Sequence, residues 1–304
     1  MIRPSRQGAP ARSTAQRLAG GPTWSSVLRR WAWAGARHGP GVLLQVAPPA
    51  IGLVAALLQP SVRRRVRENH RLALGRRPWV VEARDVARTF VAFAHCLTEA
   101  LAAGRAEAER ATPRVVGWER LAAAAAGGRG VIVLTAHVGG WDAGSALLAR
   151  DLGRPVLVVM RPEADAGARA VSDAARRRGG VRVLHGGGGP HEALALLASL
   201  RAGGIVALQL DRAPREVRTL PCELFGEPYA VPDGPFRLAA LSGAPIALVL
   251  VRRIAAFDYE VDVRAVLRVE RQAGRSERAA AASSVLRELE AFIRAHPTQW
   301  FDFG

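Results

Sequence analysis

The chain has 304 residues and a formal net charge of +17, and every one of its basic residues other than histidine is an arginine. The missing lysine excludes a Walker lysine, a Schiff-base lysine and a Ser-Lys pair, while the planar guanidinium favours anionic partners such as phosphates and carboxylates. Cys96 and Cys222 lie far apart without ligand spacing, which speaks against a disulfide framework and a zinc site and suits a reducing setting.

Residues 1–22 are polar, rich in Arg, Gly and Pro and without apolar period, so they read as a disordered leader. A signal peptide is not expected, because the apolar stretch 41–58 comes late and no small-residue cleavage site follows it before Ser61-Val-Arg-Arg-Arg65. Residues 23–112 read as an N-terminal helical, membrane-associated region. The stretch 41–58 has the length of a short span but carries Pro48-Pro49 at its centre. Trp24, Trp31 and Trp33 with Arg29, Arg30 and Arg37 precede it, and the cluster from Arg63 to Arg71 follows. This mixture suits a headgroup region, and the expectation is a helical hairpin or shallow insertion with its arginines on the cytoplasmic side. Residues 83–104 are helical in period and put His95 and Glu99 on one face, as an ordinary i, i+4 contact.

Pro113 and Gly117 mark the passage into an α/β part, 113–304. Strands are expected at 131–136, 155–160, 181–185, 205–210 and 245–251, and helices at 143–152, 164–178, 190–201 and 234–242. Such alternation predicts a mainly parallel central sheet flanked by helices. An edge strand is expected at 261–269 and a closing helix at 283–295, ended by Pro297, with the apolar tail 299–303 docked on the body.

The stretch Gly130-Val-Ile-Val-Leu-Thr-Ala-His137-Val-Gly-Gly-Trp-Asp142 reads as a buried strand that stops at a histidine and turns into a helix. Ligand crevices of α/β sheets open at such carboxyl ends. An imidazole there takes a proton near neutral pH if a carboxylate fixes its tautomer, and Asp142 is the expected carboxylate. Gly139 and Gly140 would fold the turn tightly and let substrate approach beside Trp141. Other strand ends are polar too: Arg161, His185, and Asp211 followed by Arg212. An arginine at this edge can hold an oxyanion or a phosphate, and a carboxylate can orient it. The glycine run 186–189 before Pro190-His191-Glu192 reads equally as a phosphate cradle or a flexible connection.

With these residues assembled, the chain resembles the late acyltransferases of lipid A biosynthesis, a family that includes phosphatidylinositol mannoside acyltransferases. The match runs in order through Arg67-Glu-Asn-His-Arg-Leu-Ala-Leu74, His137-Val-Gly-Gly-Trp-Asp142, Arg161-Pro162 and Val206-Ala-Leu-Gln-Leu-Asp211. It continues through Phe225-Gly226, Pro232-Asp-Gly-Pro-Phe-Arg-Leu-Ala239, Ser242-Gly-Ala-Pro245 and His296-Pro-Thr-Gln-Trp300. The resemblance implies a glycerolipid-acyltransferase-like fold and transfer of an acyl chain from acyl carrier protein or acyl-coenzyme A to a membrane lipid or glycolipid. It implies work at the cytoplasmic face of the inner membrane, and no cofactor or metal. By motif match His137 would be the general base and Asp142 its partner, with Arg161 and Asp211 as supporting charges and Gly139, Gly140, Trp141 and Arg212 against substrate. Val-Gly-Gly-Trp inside the histidine motif is closer to the glycolipid branch than to the lipid A branch. Arg176, Arg177, Arg178, Arg212, Arg215 and Arg218 are candidates for docking an acidic carrier protein. A hydrolase or thioesterase using the same histidine is the rival, although the absence of a Gly-x-Ser-x-Gly elbow disfavours a serine enzyme. A non-enzymatic basic membrane-binding protein is a further alternative, and no nucleic-acid motif is present.

Overall fold

A computed structural model describes residues 24–102, 105–109, 113–160, 166–186, 190–213 and 217–303. Four helices come first: α1 (Trp24–His38), α2 (Leu43–Leu58), α3 (Pro60–Leu74) and α4 (Trp79–Leu101). The short α5 (Ala106–Glu109), β1 (Arg114–Val116) and α6 (Trp118–Ala126) lead to β2 (Val131–Thr135) and α7 (Trp141–Leu152). Then follow β3 (Val156–Met160), α8 (Ala166–Arg178), β4 (Val181–His185), α9 (Pro190–Arg201) and β5 (Ile205–Gln209). The hairpin β6 (Thr219–Leu224) and β7 (Glu227–Pro232), then α10 (Gly234–Ser242), β8 (Ile246–Ala255), β9 (Asp258–Leu267) and α11 (Arg275–Ala295) complete the chain.

The sheet order is β1-β9-β8-β2-β5-β3-β4. From β8 to β4 the five strands are parallel, as the alternating sequence pattern predicts, while β9 runs antiparallel to β8. The expected edge strand is β9, yet it is not the edge, because β1 pairs alongside it. All of β2 is buried, and its residues divide by turns between two cores. Ile132 and Leu134 pack with α10, α11 and the hairpin, and Val131 and Val133 with α6 and β9. A strand buried on both faces needs an unbroken apolar run, which Val131-Ile-Val-Leu134 supplies.

The hairpin is not legible as strand in the sequence, because Pro221, Pro228 and Pro232 interrupt it. Its two-residue loop has positive φ at both positions, 56° at Phe225 and 81° at Gly226, which is the twist a tight hairpin requires. A phenylalanine at the first position hides a turn that Asn or Asp would advertise.

The N-terminal helices correct one part of the expectation for 23–112, a break of the stretch 41–58 at Pro48-Pro49. Pro48 and Pro49 lie inside one continuous α2, and the bend comes afterwards, 99° between α2 and α3. Packing against α4 sustains the helix: Leu44, Pro48, Gly52 and Ala56 form its buried face, and Gly52 rests on the backbone of Phe90 and Val91, where a Cβ would collide. The opposite face leaves Val46, Ile51, Leu53, Val54, Leu57 and Leu58 exposed. Arg63 donates to the carbonyls of Ala56 and Leu57 and so closes the end of α2. Among the described residues no single helix is long and apolar enough to cross a membrane.

Ion pairs onto buried carboxylates tie these helices to each other and to the sheet. Arg71 of α3 forks onto Glu82 of α4 at 2.8 and 2.7 Å, and this guanidinium holds the Glu82 carboxyl at about 2. Glu99 does not engage His95; it accepts from Arg253 of β8 and from the Tyr259 hydroxyl of β9. His95 is left with a buried ring nitrogen lacking a partner, and burial with nearby Arg253 lowers it to about 4.

Candidate active site

β2 and β5 are neighbours in register, with Thr135 opposite Gln209. Two residues beyond each strand stand His137 and Asp211, so the register itself brings them face to face. His137 Nδ1 lies 2.8 Å from Asp211 Oδ1, and the His137 main-chain N–H donates to Asp211 Oδ2 at 2.9 Å. A carboxylate only accepts, so Nδ1 carries a proton, and whenever the ring is neutral Nε2 has its lone pair free. The Asp211 side chain is fully buried, whereas that of His137 is 22% exposed. Burial alone would raise the Asp211 carboxyl, but the ring charge of His137, its two hydrogen bonds and Arg212 together hold it below the ordinary range. The hydroxyl of Tyr229, on β7, donates to the Asp211 carbonyl and fixes the loop from below.

The expected pairing of His137 with Asp142 is not formed. Successive residues of a helix leave it roughly 100° apart. At the start of α7, Trp141 turns its ring towards His137, centroids 6.4 Å apart, and Asp142 turns towards α8. There Arg176 holds its carboxylate at 2.8 and 3.3 Å. The same guanidinium lies 5.5 Å from the Trp141 ring centroid and 3.7 Å from Asp173, which in turn meets His185 Nε2 at 2.6 Å. Asp142 thus reaches the histidine through Arg176 and Trp141. Sequence reasoning placed Arg176 on a docking surface; its side chain is only 14% exposed and is committed to these carboxylates.

Gly139 and Gly140 pack the turn against the sheet. A Cβ on Gly139 would run into the Val251 carbonyl, and one on Gly140 into the Tyr259 ring; Gly139 also has φ 47°. Their absent side chains make room for the close approach of β8 and β9. Arg212 is likewise engaged, donating to the Phe301 carbonyl at 2.6 Å and lying 3.6 Å from Asp302. Arg161, Arg215 and most of the glycine run 186–189 fall outside the described residues.

The C-terminal segment, expected to dock, closes around the histidine turn. Phe301 N–H donates to the His137 carbonyl at 2.7 Å, Gly139 N–H to the Gln299 carbonyl at 2.9 Å, and Val138 bridges Trp300. Gln299 pairs with both main-chain groups of Arg253, and Asn69 of α3 donates to the Asp302 carbonyl at 2.8 Å. The main chain on both sides of His137 is thereby fixed from a segment far away in sequence. Among the described residues no group of three or more His, Cys, Asp or Glu side chains is placed to hold a metal ion. Cys96 is no nucleophile in waiting, since burial, then Glu99, pushes its thiol up to about 12.

The carboxylate-held histidine stands at the carboxyl edge of a mainly parallel α/β sheet, where the ligand crevices of such folds open. The chain belongs to the bacterial lipid A biosynthesis acyltransferase family, whose model matches residues 22–303. Membership establishes a transferase related to acyl transfer onto lipid acceptors. A comparison with curated proteins finds none that matches.

Proposed function

We propose that the protein transfers a fatty acyl chain from an acyl carrier protein or coenzyme A thioester to a hydroxyl of a membrane lipid or glycolipid, with His137 as general base and Asp211 as its orienting carboxylate. The observation that carries this reading is the 2.8 Å contact of His137 Nδ1 with a buried carboxylate, which leaves Nε2 as a basic atom at the sheet edge. Nε2 takes the hydroxyl proton as the acceptor oxygen attacks the thioester carbon. The tetrahedral intermediate collapses with cleavage of the C–S bond, and the departing thiolate recovers the proton from the imidazolium. No acyl-enzyme is needed. Arg161, which follows β3 directly in sequence, is the proposed oxyanion donor.

The acceptor is a lipid, so the site must work at a bilayer surface. The exposed apolar face of α2, the arginines of α3 and the exposed Trp31 and Trp79 suit shallow seating in the cytoplasmic leaflet of the inner membrane. The test is transfer from labelled acyl thioesters to lipid extracts by the purified chain, with ester product read by mass. Product from the wild type and none from a folded His137→Ala variant supports the reading; equal product from both refutes it.

A further inference from the structure

A cleft of about 600 Å³ is lined by Val217, Arg218, Thr219, Asp233, Arg237, Arg275 and Arg278, so four guanidiniums converge against one carboxylate. Two of the arginines are fixed. Arg278 forks onto buried Asp233 at 2.8 and 3.1 Å and also donates to the Ala273 carbonyl at 2.7 Å, while Arg275 donates to the Thr219 carbonyl at 3.1 Å. The other two, Arg218 and Arg237, are exposed and make no ion pair among the described residues.

Gathering like charges in a concavity raises its potential and repels, a cost that an anion between them removes. A guanidinium presents parallel N–H groups that match the oxygens of phosphate, and several around one cleft suit a group carrying two or more negative charges. The volume falls within the range of pockets that take ligands of nucleotide or sugar-phosphate size. We propose that this cleft binds a phosphate monoester or diphosphate group. The cleft is built from the hairpin and the starts of α10 and α11, not from the histidine turn, so phosphate binding stands by itself and only the source of the phosphate rests on the acyl-transfer reading. Seven residues lead from Asp211 to Arg218, so the rim lies within about 25 Å of the histidine pair, and a phosphate held there could belong to a substrate of the site.

The experiment is calorimetric titration of the full chain with pyrophosphate at low ionic strength. Saturable binding is expected, weakened at least tenfold by the double change Arg218→Gln with Arg237→Gln, neither of which disturbs the Arg278–Asp233 fork. A matched control removes two charges elsewhere, Arg182→Gln with Arg287→Gln, both exposed. If the control weakens binding as much as the cleft variant, the chain attracts phosphate only by its diffuse charge and the proposal is overturned; so too if pyrophosphate gives no saturable binding. Two arms identify the source of the phosphate: coenzyme A in solution, and vesicles of phosphatidylcholine with a phosphomonoester lipid. Loss of one or the other in the cleft variant assigns the cleft to a soluble thioester donor or to a lipid headgroup, and loss of neither refutes a substrate role.

Discussion

Replacing Asp211 by asparagine keeps the shape of the side chain and removes only its ability to accept twice. In the wild type one oxygen takes the ring Nδ1–H and the other the main-chain N–H of His137, at 2.8 and 2.9 Å. An amide offers one acceptor and one donor. If its oxygen stays on the main-chain N–H, its NH₂ faces Nδ1, and the ring proton must move to Nε2, the atom proposed to act as base. A carboxylate-to-amide change that forces the wrong tautomer costs about 10⁴ in turnover, equivalent to ~5.5 kcal/mol of barrier. Asp142→Asn leaves the histidine pair untouched and disturbs a largely buried arginine fork, so it should lower stability more than turnover and cost far less activity than Asp211→Asn. Single-turnover transfer from an acyl thioester, with thermal unfolding as the check on folding, compares the two variants directly. If Asp142→Asn is as damaging as Asp211→Asn while both remain folded, the assignment of the orienting carboxylate is wrong.

Three further outcomes are expected. Leu57→Asp with Leu58→Asp, on the most exposed part of α2, should release the protein from anionic vesicles without lowering its melting temperature; undiminished sedimentation with vesicles would locate membrane seating elsewhere. Glu99→Ala strands the Arg253 guanidinium, only 17% exposed, and should cost ~3–5 kcal/mol, seen as a melting temperature lower by roughly 5–8 °C, with Glu99→Gln falling between. Acid should weaken the fold in two stages, because His95, with His70 and His296, and Glu82, with Asp211 and Glu260, have folded-state values below their unfolded ones. The unfolded chain binds the extra proton at His95 as pH falls from about 6.5 towards 4, and at Glu82 from about 4.5 towards 2. Chemical unfolding at stepped pH should show the lower stage flattened in Glu82→Gln and the upper stage flattened in His95→Gln.

Much of this architecture is legible in sequence because the parallel strands are short apolar runs bounded by glycine, and the helices between them carry clear period. His137 and Asp211 are both visible as strand-end residues. What the sequence hides is that β2 and β5 are neighbours although β3 and β4 lie between them in the chain. A local reading therefore gives the histidine the nearest carboxylate, Asp142, where the sheet order gives it a distant one. The same limit explains Arg176 and Glu99: each has candidate roles nearby in sequence, yet each is claimed by a residue that only tertiary packing brings close. Pro48-Pro49 mislead for a related reason, since proline lowers the helical preference of an isolated segment, while α4 supplies the contacts that hold α2 together.

The docking of residues 296–303 has a bearing on biosynthesis. These residues are the last made of all the segments that touch His137, and they supply the partners for its carbonyl and for the Gly139 N–H. A nascent chain can form the sheet and bring Asp211 to the histidine, yet the histidine turn stays unbraced until residues 296–303 emerge from the ribosome and close a contact spanning more than half the sequence. The bracing of the histidine turn thus arrives as a late, long-range step.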